Sequence, residues 1–118
     1  MRIEQEPLED LDRGWLVRPQ GPIRARATDA FRARVDALLD SAATSLLLDL
    51  DGVDSIDSST AGYLLMVHDR LKASGGNLAL ARLQPGVHVV IDSIGLTSFF
   101  RVCDSVEEAT RHLREATD

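Results

Sequence analysis

The chain has 118 residues, 44% hydrophobic and 27% charged, with a net charge of −6; that is the make-up of one globular domain and excludes a disordered segment. No run approaches eighteen apolar residues and the opening MRIEQEPLEDLD is acidic and polar, so neither membrane insertion nor a secretory signal is expected. A lone Cys103 excludes an internal disulfide and a cysteine-built zinc site, and an acidic chain with 4% aromatics lacks the basic, stacking surface of a nucleic-acid binder.

A reducing cytoplasm is the compartment that fits this cysteine usage. Residues 1–118 read as a single domain whose first twelve residues are frayed, loosely attached or a loose edge strand. Trp15–Arg18 reads as a strand stopped by Pro19, and Gln20 to Ile23 turns the chain, Pro22 favouring a sheet edge. Thr28 or Asp29 is placed to cap a helix carrying Phe31, Val35, Leu38, Leu39 and Ala42 at helical spacing. The almost unbroken apolar run from Ser45 to Leu50 suits a strand covered on both faces.

A polar connection, Asp51 to Ser59, is punctuated by Val53 and Ile56. It leads into a helix with Ala61, Leu64, Leu65, His68 and Leu71 on one stripe, ended by Ser74-Gly75-Gly76. Asn77–Ala81 is a further strand. Pro85 starts a helix bearing Val87, Val90, Ile91 and Ile94, closed by Gly95. Phe99–Val102 reads as the last strand, and Ser105 caps a final helix with Val106, Ala109, Leu113 and Ala116 inward. This alternation predicts an α/β domain: a mainly parallel central sheet, an antiparallel or edge N-terminal strand and about four helices. Function in such sheets gathers where strands end and helices begin, and the richest junction is residues 49–62.

Two chemistries are written there. Leu46-Leu47-Leu48-Asp49-Leu50-Asp51-Gly52-Val53 resembles the first motif of haloacid-dehalogenase-type phosphatases, which implies Asp49 as nucleophile, Asp51 as general acid/base and a bound magnesium. The remaining parts of that family are missing: Lys72 is the only lysine, and no later GDxxxD or DD pair follows. The plainer alternative puts Asp49 in the strand and leaves Asp51 and Asp54 as solvated turn residues. The second chemistry is Asp57-Ser58-Ser59-Thr60-Ala61-Gly62. An Asp-Ser-Ser before a helix is ordinary capping chemistry. Three adjacent hydroxyls exceed what one cap needs, however, a helix N-terminus tolerates phosphate, and Gly62 in the first turn costs helix stability unless something approaches closely.

From Ser45 to Val102 the sequence resembles the STAS domains of anti-sigma factor antagonists. The matching pieces are LLLDL, DSIDSSTAG, the helix ending in SGGNLALA, and VVIDSIGLTSFFRV followed by SVEEAT. The resemblance implies phosphorylation of Ser58 by a partner serine kinase, with Asp57 as the acid beside it and Ser59, Thr60 and Gly62 as flanking, partner-binding positions. The family's GELD-like loop segment corresponds to Gly21-Pro22-Ile23-Arg24, so Arg24 stands in the phosphosite neighbourhood where an acid is usual, either as a solvated loop cation or as a partner for the phosphate, and Thr60-Ala61-Gly62 replaces the more usual Gly-Leu-Gly.

The function so implied is a non-enzymatic switch without cofactor or metal. The unphosphorylated protein binds an anti-sigma factor kinase of GHKL type and releases the sigma factor. Phosphorylation at the expense of the kinase's ATP ends binding, and a serine phosphatase resets the cycle. The alternatives are a STAS subunit stabilising a larger assembly such as a lipid-transport ATPase, and the small aspartate phosphatase. His68 reads as a half-buried, satisfied histidine, and His88 and His112 lack a metal spacing. Cys103 reads as a small core hydrophobe and Trp15 as core or edge cover. At least one of Phe99 and Phe100 is expected in the core, the pair otherwise being a candidate partner surface.

Overall fold

The computed structural model describes residues 1–9 and 11–117. Five strands and four helices follow one another as β1 (Arg2–Pro7), β2 (Gly14–Gln20), α1 (Arg26–Asp40), β3 (Ser45–Asp49), α2 (Ser58–Ala73), β4 (Asn77–Ala81), α3 (Pro85–Ser93), β5 (Arg101–Cys103) and α4 (Val106–Thr117). The strands form one sheet in sequence order, β1 antiparallel to β2 and every later pair parallel. The expected fold class is the one found.

The order of hydrophobicity explains the order of strands. All residues of β3 and β4 are buried, so these two lie centrally with helices on both faces. Alternation then divides the core. Leu46, Leu48, Leu78 and Leu80 pack with α1, α2 and α3, while Leu47, Ala79 and Ala81 face Ala109 and Leu113 of α4. β1 is exposed and charged, which guards an open sheet edge against adding another strand. Of the expectations for the N-terminus, the edge strand is what forms, and Leu8 and Leu11 behind it join the α4 layer. Gly76, just before β4, is required by packing: a Cβ there would lie 1.7 Å from the carbonyl oxygen of Thr44.

Several local expectations are corrected. Pro19 does not stop β2, because the pairing with β3 ends at Val17 and Pro19 has only β1 beside it. α1 starts before Thr28 and Asp29, at an Ala25 with φ 54 and no side-chain cap, and Thr28 is turned inward. Ala42 lies beyond the helix end at φ 67. Phe99 and Phe100 sit in the turn before a shorter β5, and Ala116 is exposed. Ser105 does cap α4, accepting from the Glu108 amide at 3.0 Å.

Candidate functional site

Two loops meet at the start of α2. The chain leaving β3 is pinned by buried Val53 and Ile56. Ile56 bridges to Ile23 of the β2–α1 loop, and the Ile23 amide donates to the carbonyl of Ser55 at 3.0 Å. Asp57 follows in extended conformation, φ −100 and ψ 172, as the N-cap. Its Oδ1 accepts from the Thr60 amide at 2.8 Å. The Thr60 hydroxyl is buried 2.8 Å from the same Oδ1, 3.0 Å from the Ile23 carbonyl oxygen and 3.3 Å from the Thr28 hydroxyl. It has one proton to give, so it donates to one of the first two and accepts from Thr28. The amide of Thr60 foremost, and then its hydroxyl, hold the Asp57 carboxyl below the usual carboxylate range. Asp57 is therefore a fixed negative charge beside the next residue.

Ser58 and Ser59 are exposed in the first turn. They face different ways, as successive helical residues must. Ser59 looks toward α1, where Nη2 of Arg32 donates to its Oγ at 3.0 Å. Ser58 heads a column with Gly62 and Met66 at helical spacing, all exposed. A Cβ on Gly62 would meet nothing within 4 Å, so this glycine answers to no packing need within the chain. Next to hydroxyl and bare backbone, Met66 is one of the large apolar side chains left exposed, together with Val89, Ile94 and Phe99.

The structure thus gathers Asp57, Ser58, Ser59, Thr60 and Gly62 but assigns them different places. Thr60 is buried and ties the loops together, whereas the other four reach the surface. Arg24 is exposed on the neighbouring loop and makes no ion pair with any described residue. Arg32 went unseen in the sequence, since its contact with Ser59 spans 27 positions. The one local hint was an arginine directly after the buried Phe31 on α1.

The Asp49 junction is built for a different purpose. Asp49 is the buried last residue of β3 and Asp51 lies in an exposed turn, the plainer of the two readings. Arg82 donates to Asp49 at 2.6 and 3.0 Å, Arg18 at 3.2 Å and the Asp51 amide at 3.2 Å. Burial pushes the Asp49 carboxyl up, but the Arg82 hydrogen bonds, with those of Asp51 and Arg18, outweigh it and hold the group low. Both oxygens are occupied by guanidinium and amide donors, which is a structural anchor and not a poised nucleophile. His68 is half-buried, its ring centroid 4.5 Å from that of Phe99 and 6.1 Å from that of Phe100. Phe100 is core and Phe99 exposed. Cys103 is buried, and burial raises its thiol. His88 is exposed, and Trp15 and His112 are half-buried.

Residues 7–109 match the family model of the STAS domain. BtrV of Bordetella bronchiseptica, named provisionally as an anti-sigma factor antagonist, is 30% identical over 97 residues, 82% of this chain and 84% of BtrV. The anti-sigma F factor antagonist of Paenibacillus polymyxa is 26% identical over 99 residues, 83% of this chain and 85% of that protein. Among solved structures, the anti-sigma factor antagonist SpoIIAA in its unphosphorylated form shares the fold with a TM-score of 0.80 at 23% identity, 97% of each chain being covered. Its phosphorylated form from Bacillus gives 0.73 at 22% identity, over 96% of this chain and all of that one.

Proposed function

The chain belongs to the STAS domain family, and from that premise we propose that it is an anti-sigma factor antagonist switched by phosphorylation of Ser58. Unphosphorylated, it binds an anti-sigma factor that is a serine kinase of GHKL type, and so frees a sigma factor in the cytoplasm. In the transfer from ATP, the Ser58 Oγ–P bond forms as the bond to the β,γ-bridging oxygen breaks. ADP leaves, and the hydroxyl proton passes to a base of the kinase. A serine phosphatase then resets the cycle. This chain supplies the hydroxyl and the docking surface, and the nucleotide belongs to the partner.

The observation that carries the reading is the placement of Ser58: exposed on the first residue of α2, in line with the bare backbone of Gly62 and the exposed Met66. A phosphate there adds roughly −1.5 to −2 charges beside ionised Asp57. The helix dipole and free N–H groups favour it by about 0.3–1 kcal/mol while it stays hydrated. Buried against a partner it would be an uncompensated charge, costing several kcal/mol. The modification therefore acts on the interface and leaves the fold alone.

Affinity capture with the tagged chain, followed by mass spectrometry, tests the partner class. Wild-type and Ser58→Ala chains are expected to retain a GHKL-type serine kinase, Ser58→Ala more persistently. Recovery of a transporter ATPase in its place would make the chain a STAS subunit of a larger assembly and overturn the switch.

A further inference from the structure

The two serines that open α2 are adjacent in sequence but held in unlike surroundings. Arg32, in the second turn of α1, donates from Nη2 to Ser59 Oγ at 3.0 Å and reaches the Ser59 carbonyl oxygen at 3.4 Å. Its guanidinium carbon lies 5.0 Å from the ring centroid of Tyr63, which stands one turn beyond Ser59 on the same face of α2. The Tyr63 phenol donates to Asp36 at 2.5 Å and lies 3.3 Å from the carbonyl oxygen of Arg32. Burial first, and then the Asp36 carboxylate, push that phenol up, so it remains a neutral donor that fixes the ring under the guanidinium. Nε of Arg32 is buried without a hydrogen-bond partner among the described residues. Ring, helix backbone and serine together fix where this cation points.

We propose that Arg32 is the residue that distinguishes Ser58 from Ser59: it occupies the Ser59 hydroxyl and neutralises any phosphate placed there, so that only Ser58 can present a phosphate's charge to a partner. An oxygen that accepts a hydrogen bond from a guanidinium has a lone pair withdrawn and is a poorer nucleophile toward ATP. A phosphate on that oxygen would meet a planar donor matched to it in geometry and charge. Ser58 lies about 100° round the helix, above Gly62 and Met66, and among the described residues no arginine, Arg24 of the neighbouring loop included, hydrogen-bonds it as Arg32 does Ser59. The inference rests on the reading of Ser58 as phosphoacceptor for its biological use, but its physical content does not need a kinase.

The test uses the full chain with phosphoserine genetically encoded at position 58 or at position 59, titrated by phosphorus NMR. The second phosphate ionisation, ordinarily near pH 6, should fall by about half a unit or more at position 59 through its guanidinium partner. Arg32→Gln should abolish that fall and leave the position-58 titration within about 0.2 units. Arg32→Lys should keep part of it, since a point charge remains. Should Arg32→Gln fail to fold, the position-59 shift in the wild-type background must still collapse in about 1 M salt, where screening acts within 3 Å. Equal movement of both phosphates on Arg32→Gln, or of neither, overturns the proposal. No partner is in the sample, so that failure would leave the Ser58 switch standing. Conversely, a failed kinase capture would leave the titration result intact.

Discussion

Asp49→Ala is expected to cost the domain stability and to show that this carboxylate is an anchor. Its side chain is 1% exposed, while those of Arg18 and Arg82 are 34% and 41% exposed. Breaking a fully buried ion pair costs about 3–5 kcal/mol, because a charge is stranded. Here the stranded groups are half in water, Arg18 keeps Glu6 at 2.9 Å, and Arg82 retains Asp51 at 3.8 Å. The expected loss is therefore about 2–3 kcal/mol. For a domain of this size it corresponds to a fall in Tm of about 8–12 °C. Thermal and urea unfolding followed by circular dichroism read it directly, an unchanged m-value showing that the denatured state is not involved.

The pH dependence has a definite sign. The Asp49 carboxyl is held below its ordinary value of 3.8, so its contribution is complete above that pH and is lost as pH falls through the folded value. The gap between wild type and Asp49→Asn should accordingly narrow in strong acid. A variant melting within about 2 °C of wild type, with a gap indifferent to acid, would refute the anchoring role.

Gly62→Ala should raise stability by about 0.5–1 kcal/mol, since alanine fits an exposed helical position with open space around it. The same methyl should weaken binding of the captured kinase about tenfold if the partner's backbone approaches there, as calorimetric titration would show; a fall in Tm would contradict the open space. Thr60→Val keeps the shape but removes the hydroxyl that joins Asp57, Ile23 and Thr28, and should cost about 1–3 kcal/mol in a denaturant titration, with Thr60→Ser recovering most of it.

The parts of the molecule legible in the sequence were those decided locally. SLLLD and NLALA announce doubly covered strands through uninterrupted burial, and Asp57 announces α2 because an acidic cap needs only residues three positions on. Distant partners decided the rest. Thr28 looked like a cap and is not one, because a hydroxyl 32 positions away claims it. Pro19 looked like a stop, but whether a missing N–H matters depends on what lies beside the strand. At the site, Ser58, Ser59 and Thr60 are three similar hydroxyls in sequence. Helical rotation and the arrival of α1 make one of them free, one tethered and one buried.

The switch itself is tested most directly by titrating the recovered serine kinase against the chain carrying serine, and then encoded phosphoserine, at position 58, beside thermal melts of both. Melting temperatures within a few degrees of each other are expected, with an affinity lowered roughly a hundredfold or more, about 2.7 kcal/mol at the interface. Equal affinities, or a loss of binding that vanishes once the unfolded fraction is corrected for, would contradict the switch.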